Sequence, residues 1–130
     1  MLVAISAYIF TILSIILVLF QFGLTIGLPW GKASMGGKYP GKYPPKMRVV
    51  SLINILVLSI ISVIVLIKAD IIFPQLKSFA NIAIYFIVGF SVLTTILNLI
   101  TPSKIERKIW LPMAVVLLVT SIIVAFEIGV

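Results

Sequence analysis

The sequence lacks the residues on which most protein active sites depend. It contains no cysteine and no histidine, and only three of its 130 residues are acidic. Disulfides, thiol chemistry and metal sites built from Cys and His are therefore excluded. General acid–base and nucleophilic catalysis usually draw on His, Cys, Asp or Glu. The acids present, Asp70, Glu106 and Glu127, all lie away from the centre of any apolar run, so we expect a non-catalytic protein without a cofactor.

Charge of either sign is also scarce, and apolar residues take its place. Hydrophobic residues make up 62% of the chain and charged residues 10%, whereas soluble domains average about 45–50% and about 25%. Apolar runs cover residues 2–28, 49–67, 79–100 and 109–128, and each is long enough to cross a bilayer as a helix. None alternates in polarity as barrel strands do. The first run is too long and lacks the basic flank of a signal peptide, so we expect it to be retained. The sequence predicts one all-α domain over residues 1–130, an integral membrane four-helix bundle.

The excess positive charge lies in two of the three connections. The net charge is +7, and most of it falls in segments 29–48 and 101–108, which must share one side because two spans separate them. The positive-inside rule places that side in the cytoplasm. We therefore expect a multi-pass protein of the cell membrane, with both termini outside the cytoplasm and no nucleic-acid partner.

The first basic loop is too long for a plain linker. Segment 29–48 is rich in Gly and Pro and repeats GKYP at 37–40 and 41–44, whereas helix connections usually need about 2–8 residues. It does not match the nucleotide-binding P-loop, because Tyr39 follows Lys38 where Ser or Thr is required. One interpretation is a platform for lipid headgroups or other anions; the other is a determinant of topology that packs over the helix ends. The candidate lipid- or anion-binding residues are Lys32, Lys38, Tyr39, Lys42, Tyr43, Lys46, Arg48, Arg107 and Lys108.

The second basic loop carries a helix-start pattern. Ser103 and Glu106 have the spacing of a capping box, and Pro112 follows soon after. We interpret this pattern as mainly structural, with Pro112 either kinking the helix or opening the fourth span.

Polar side chains inside the spans form a layer near the basic side. At a rise of about 1.5 Å per residue, Gln21, Asn54 and Asn98 all fall in the same third of the bilayer. Hydrogen bonds between helices are one explanation. A polar vestibule that admits an ion or a lipid headgroup is the other.

The opposite side holds a sparse set of ionisable residues. Lys68 ends the second span, Lys77 begins the third, and Glu127 lies near the end of the fourth. The pattern predicts an ion pair between Glu127 and Lys68 or Lys77. Proton coupling through Glu127 is the bolder alternative.

Two stretches, PWGKASMGGKYPGKYPPKMR and NLITPSKIERKIWLP, resemble a family of small four-span bacterial membrane proteins. That family shows a PWG…GG…PG..PP..R loop and a later N…PS..ER..W.P segment. The resemblance implies no catalytic or binding residue. It implies that the following residues belong to the family pattern: Trp30, Gly31, Gly36, Gly37, Pro40, Arg48, Asn98, Glu106, Arg107, Trp110 and Pro112.

Two kinds of function are compatible with these patterns. The first is a non-catalytic membrane component that binds anionic lipid, or a larger membrane partner, through its basic cytoplasmic face. The second is a small channel or transporter for an ion or small solute. The latter is expected to work as a homo-oligomer, because four short helices leave little room for a pore.

Overall fold

Four long helices account for most of the chain in the computed structural model, which describes residues 1–129. The helices are α1 Leu2–Ile26, α2 Pro45–Lys68, α3 Lys77–Ile100 and α4 Lys104–Ala125, with short 3₁₀ turns at Gly31–Ala33, Met35–Gly37 and Pro74–Leu76. Residues 1–129 contain no β-strand. All four helices are long and apolar enough to cross a membrane, which confirms the predicted all-α, four-helix membrane architecture.

The helix ends follow local backbone chemistry rather than the limits of the apolar runs. Helix α1 stops earlier than its run because Gly27 adopts the left-handed conformation, with φ of 94°, a common helix stop. Helix α2 starts earlier, at Pro45, because proline is preorganised for the first helical turn. Helix α4 also starts earlier, since Ser103 caps its first turn. Pro112 lies inside α4, which continues on both sides of it.

The helices pack as a bundle with one loosely closed side. Helix α1 packs mainly on α2 and α4, and α3 packs mainly on α4, whereas α2 and α3 contact each other less extensively. We call the end with segments 27–44 and 101–108 the basic end, and the other end the far end. The buried apolar cluster extends from the middle of the bundle towards the far end and consists of Val3, Ala7, Phe10, Ile61, Val65, Ala69, Ile84, Ile87, Leu117, Val124 and Ala125.

Large apolar side chains cover the outside of the bundle. Phe86 is 77% exposed, and leucines such as Leu19 and Leu56 are also exposed. A soluble protein of this size would not expose so large an apolar surface to water, whereas the hydrocarbon of a bilayer can cover it. The outside therefore matches a lipid-facing surface.

Candidate functional site

The long first loop is folded tightly onto itself. The backbone N–H of Gly31 donates to the carbonyl oxygen of Gly41 at 2.8 Å, which closes the loop. The hydroxyls of Ser34 and Tyr43 share a further hydrogen bond. Tyr43 is only 2% exposed, and this burial raises the pKa of its phenol. Tyr43 therefore has no surface to offer a lipid headgroup, and we assign it to the interior of the loop.

Three hydrogen bonds fasten this loop to the start of α4. The backbone N–H of Gly36 donates to Oε2 of Glu106 at 3.0 Å. Ser103 donates through its hydroxyl to the carbonyl oxygen of Lys32 at 2.9 Å, and the Trp110 indole N–H donates to the carbonyl oxygen of Ala33 at 2.8 Å. The two basic loops therefore form one structural unit.

Only half of the expected capping box is present. The Glu106 backbone N–H donates to Ser103 Oγ at 3.2 Å, as a helix cap requires. The Glu106 carboxylate does not return to the backbone N–H of Ser103, which donates instead to Thr101 Oγ1. It binds Gly36 on the first loop, 70 residues away in sequence. The spacing of Ser103 and Glu106 predicts only a local helix cap, so the sequence did not predict the contact between Glu106 and Gly36.

The basic residues of this end divide into two groups. Arg48 donates through Nε to the carbonyl oxygen of Tyr43 at 3.0 Å, and Arg107 donates to the carbonyl oxygen of Thr101 at 2.7 Å. These arginines hold the backbone in place. The lysine side chains are exposed, and no ion pair forms at this end within residues 1–129. The exposed lysines are Lys32, Lys38, Lys42, Lys46, Lys104 and Lys108.

Both tryptophans also lie at the basic end. The Trp30 ring stacks on Phe20 with the ring centroids 6.0 Å apart, and it covers Gly23 so closely that a Cβ there would overlap the indole. Trp110 contacts Phe20 from another side, with centroids 4.7 Å apart. Gly23 thus leaves room for the Trp30 indole, and Gly27 ends helix α1.

The predicted polar layer lines a single cavity of about 690 Å³ under the first loop. Gln21, Asn54 and Asn98 come from three different helices and all face this cavity. The first loop contributes Lys38 and Tyr39, and α4 contributes Glu106. Most of the remaining lining is apolar and includes Phe10, Leu17, Leu58, Ile61, Phe90, Met113 and Leu117.

The three amides do not bond to one another across helices, as one interpretation of the sequence predicted. Within residues 1–129, the only side-chain hydrogen bond from these amides runs from Asn98 Nδ2 to the carbonyl oxygen of Thr94, on the same helix, at 2.8 Å. Gln21 Oε1 and Ser14 Oγ are buried without a hydrogen-bond partner in the described part of the chain, and both residues line the cavity. The prediction of interhelical amide bonds is therefore wrong, and the alternative of a polar vestibule fits the geometry.

A charged cluster ties three helices together at the far end. Lys68 Nζ lies 2.9 Å from Glu127 Oε1, and Lys77 Nζ lies 3.5 Å from the same oxygen and 2.8 Å from Asp70 Oδ1. The predicted ion pair is thus confirmed, with both lysines as partners. Glu127 lies just beyond the end of α4, and the hydrogen bond and positive charge of Lys68, together with Lys77, lower the pKa of its carboxyl group. This lowered pKa favours a structural role for Glu127 over proton coupling.

Known proteins offer no assignment for these residues. No protein-family model matches the chain, and no curated protein or solved structure is detectably similar to it. Geometry and charge are therefore the basis for assigning a function to the basic end and its cavity.

Proposed function

We propose that this chain is a non-catalytic multi-pass protein of the cell membrane that binds anionic lipid headgroups through its basic end. The observation that supports this most directly is the difference in exposure between the lysines and the single acid at this end. The lysines of the first loop are exposed and have no acidic partner among residues 1–129, while Glu106, the one acid at this end, is buried and bonded to Gly36. The surface of the basic end is therefore purely positive.

The folded structure of the loop favours attraction between these lysines and anionic lipid headgroups. Each Lys or Arg near an anionic bilayer surface contributes about 1 kcal/mol of attraction. A loop held by hydrogen bonds at Gly31, Glu106 and Trp110 presents its lysines at low entropic cost, because the backbone is already ordered before any lipid binds. Trp30 and Trp110 at the same level suit the interface between headgroups and hydrocarbon.

Tryptophan quenching tests this proposal, because both tryptophans report on the basic end. The protein would be reconstituted in phosphatidylcholine vesicles containing phosphatidylglycerol or phosphatidylcholine brominated near the headgroup. We expect half-maximal quenching at a mole fraction at least about fivefold lower for brominated phosphatidylglycerol, since about 1 kcal/mol of preference corresponds to roughly that factor. Replacing Lys32, Lys38, Lys42 and Lys46 together by Gln should reduce the preference strongly, leaving only the weaker contribution of the cations near the start of α4.

A matched variant with Arg at the same four positions controls for this experiment. It keeps the charge and should keep the preference, whereas 1 M salt should weaken it in every charged form because the Debye length falls to about 3 Å. Equal quenching by the two lipids in the unmodified protein would contradict the proposal.

The orientation is a separate proposal with its own test. We propose that the basic end faces the cytoplasm and that both termini face outward, following the positive-inside rule. The chain has no cysteine, so Met35→Cys and Gln75→Cys each supply a single exposed thiol at opposite ends. A membrane-impermeant maleimide should label position 75 in intact cells and position 35 only after permeabilisation, while the parent protein stays unlabelled. Labelling of position 35 in intact cells would show the reverse orientation.

The packing gives less support to the alternative, a small oligomeric channel or transporter. A route through one chain would have to pass between the helices in the far half of the bundle. Val65, Ile84 and Val124 fill that space and are fully buried. A larger membrane protein that docks on the exposed apolar faces stays compatible with lipid binding at the basic end.

A further inference from the structure

The cavity under the first loop has the chemistry of a ligand site distinct from the lysine surface. We propose that it binds an amphiphile with a primary ammonium headgroup, which enters from the bilayer between α2 and α3 and places its ammonium beside Glu106. The volume, about 690 Å³, falls within the range of about 300–1,000 Å³ typical of small-molecule sites. This inference does not rest on lipid-phosphate binding by the loop.

Glu106 supplies the negative charge for such a ligand. It lines the cavity and is only 9% exposed. Its carboxylate accepts one hydrogen bond, from the Gly36 backbone N–H, and forms no ion pair with any described residue. A buried carboxylate is costly unless a cation or several donors satisfy it. An ammonium group in the cavity would supply both the charge and the missing donors.

Unpartnered acceptors in the same cavity point to a ligand that donates hydrogen bonds. Gln21 Oε1 is buried without a partner, and Ser14, 1% exposed, has an unpartnered hydroxyl. Both residues line the cavity, and buried polar atoms without partners are uncommon in native proteins. A primary ammonium carries three N–H donors and no acceptor, so it can donate to unpartnered oxygens such as Gln21 Oε1.

The rest of the cavity suits an alkyl chain. Side chains such as Leu58, Phe90 and Leu117 line it. Val57 and Leu97, from α2 and α3, line the cavity and are also exposed on the outer surface. The cavity therefore opens sideways between α2 and α3, which contact each other less extensively than the other neighbouring helices do, and this opening gives an apolar tail a path from the bilayer hydrocarbon.

The other ionisable groups in the cavity wall do not favour an anionic headgroup deeper inside. Lys38 and Tyr39 lie on the first loop, which covers the cavity. Lys38 Nζ lies 5.6 Å from the centroid of the Tyr39 ring, a distance typical of a cation–π contact. An anionic headgroup placed beyond them would face the Glu106 carboxylate, whereas an ammonium would be attracted to it.

The test uses Trp110, which lines the cavity, as the only tryptophan, excited selectively over tyrosine. A Trp30→Phe background would be reconstituted in phosphatidylcholine vesicles with 6,7-dibromododecylammonium or with the neutral 6,7-dibromododecanol as quencher, so that the bromines lie in the half of the chain nearer the headgroup. We expect the ammonium to reach half-maximal quenching at a mole fraction at least tenfold lower than the alcohol. Glu106→Gln should abolish this difference while keeping an oxygen that accepts from Gly36. Gln21→Leu should weaken the preference several-fold.

A cavity-filling variant keeps the test independent of the Glu106 substitution. Asn54 lines the cavity without a side-chain hydrogen bond to any described residue, and Asn54→Phe should block quenching by the ammonium. A variant with Gln at Lys32, Lys42 and Lys46, which do not line the cavity, should retain it. Saturable quenching by brominated phosphatidylethanolamine would identify a lipid as the source of the ammonium. Saturation by the alkylamine alone would identify a free amphiphile. Equal quenching by ammonium and alcohol, or a preference that survives both Glu106→Gln and Asn54→Phe, would overturn the proposal.

Discussion

Replacing Gly31 by alanine is expected to open the first loop and to destabilise the whole basic end. Gly31 is buried, and a Cβ at this position would overlap the carbonyl oxygen of Tyr39 and lie 2.8 Å from that of Gly41. Both obstacles are main-chain atoms, so no side-chain rotation relieves the overlap. The two segments of the loop, around Gly31 and around Gly41, must therefore move apart, and the hydrogen bond between Gly31 and Gly41 is lost.

The expected cost is about 2–4 kcal/mol in the free energy of unfolding. Overpacking of a tight site costs about 1–3 kcal/mol, and a lost hydrogen bond adds about 1 kcal/mol. Thermal unfolding followed by tryptophan fluorescence in dodecyl maltoside measures the loss. The tryptophans lie at the affected end, so the emission of the folded variant should change as well.

Gly89→Ala is the matched control for this substitution. Gly89 lies within α3, and a Cβ there would meet no atom within 4 Å. Alanine in a helix interior is favoured over glycine by about 0.8–1.0 kcal/mol in peptide hosts, so this variant should be as stable as the parent or slightly more so. If Gly31→Ala unfolded at the same temperature as Gly89→Ala, the close approach at Gly31 would not matter for stability.

The loop illustrates which features the sequence could predict. The four helices follow from the lengths of the apolar runs, and the basic end follows from where lysine and arginine lie, because both depend on local composition alone. The two GKYP repeats have the same sequence, yet Tyr39 is only partly buried whereas Tyr43 is fully buried against Ser34. Identical local sequence cannot distinguish these environments, since tertiary contacts determine them.

Glu106 shows the same limit at the candidate site. Its spacing from Ser103 predicts a cap, and half of that cap is present. Its carboxylate instead binds Gly36, a contact that depends on how the two loops meet. The depth of Gln21 and Asn54 was predictable from helix rise, but that both face one cavity depends on how the helices pack.

Replacing Glu127 by glutamine is expected to weaken the far end and to reduce the acid sensitivity of the fold. Lys68 is 7% exposed, and the substitution leaves its ammonium without its closest carboxylate. Breaking a buried pair costs about 3–5 kcal/mol, whereas exposed pairs contribute about 0.2–1 kcal/mol. Since the Glu127 side chain is 44% exposed and water screens it, we expect a loss of about 1–2 kcal/mol at neutral pH, between those limits.

The lowered pKa of Glu127 determines how the destabilisation by Glu127→Gln changes with pH. Lys68 and Lys77 lower the pKa of Glu127 in the folded protein, so its stabilisation is complete above the pKa of the unfolded chain, about 4.3. That stabilisation is lost as the pH falls through the lower folded pKa. The difference in unfolding temperature between the parent and Glu127→Gln should therefore stay constant from about pH 7 to pH 5 and shrink towards pH 3.

Asp70→Asn separates the Glu127 effect from the general titration of the far end. The Asp70 side chain is 72% exposed and, among the described residues, pairs only with Lys77. Asparagine tolerates its left-handed backbone, with φ of 63°, as well as aspartate does. This variant should lose less than about 1 kcal/mol and keep most of the acid sensitivity. A Glu127→Gln protein as stable as the parent at pH 7 would mean that the cluster does not join α2, α3 and α4 in the way its geometry indicates.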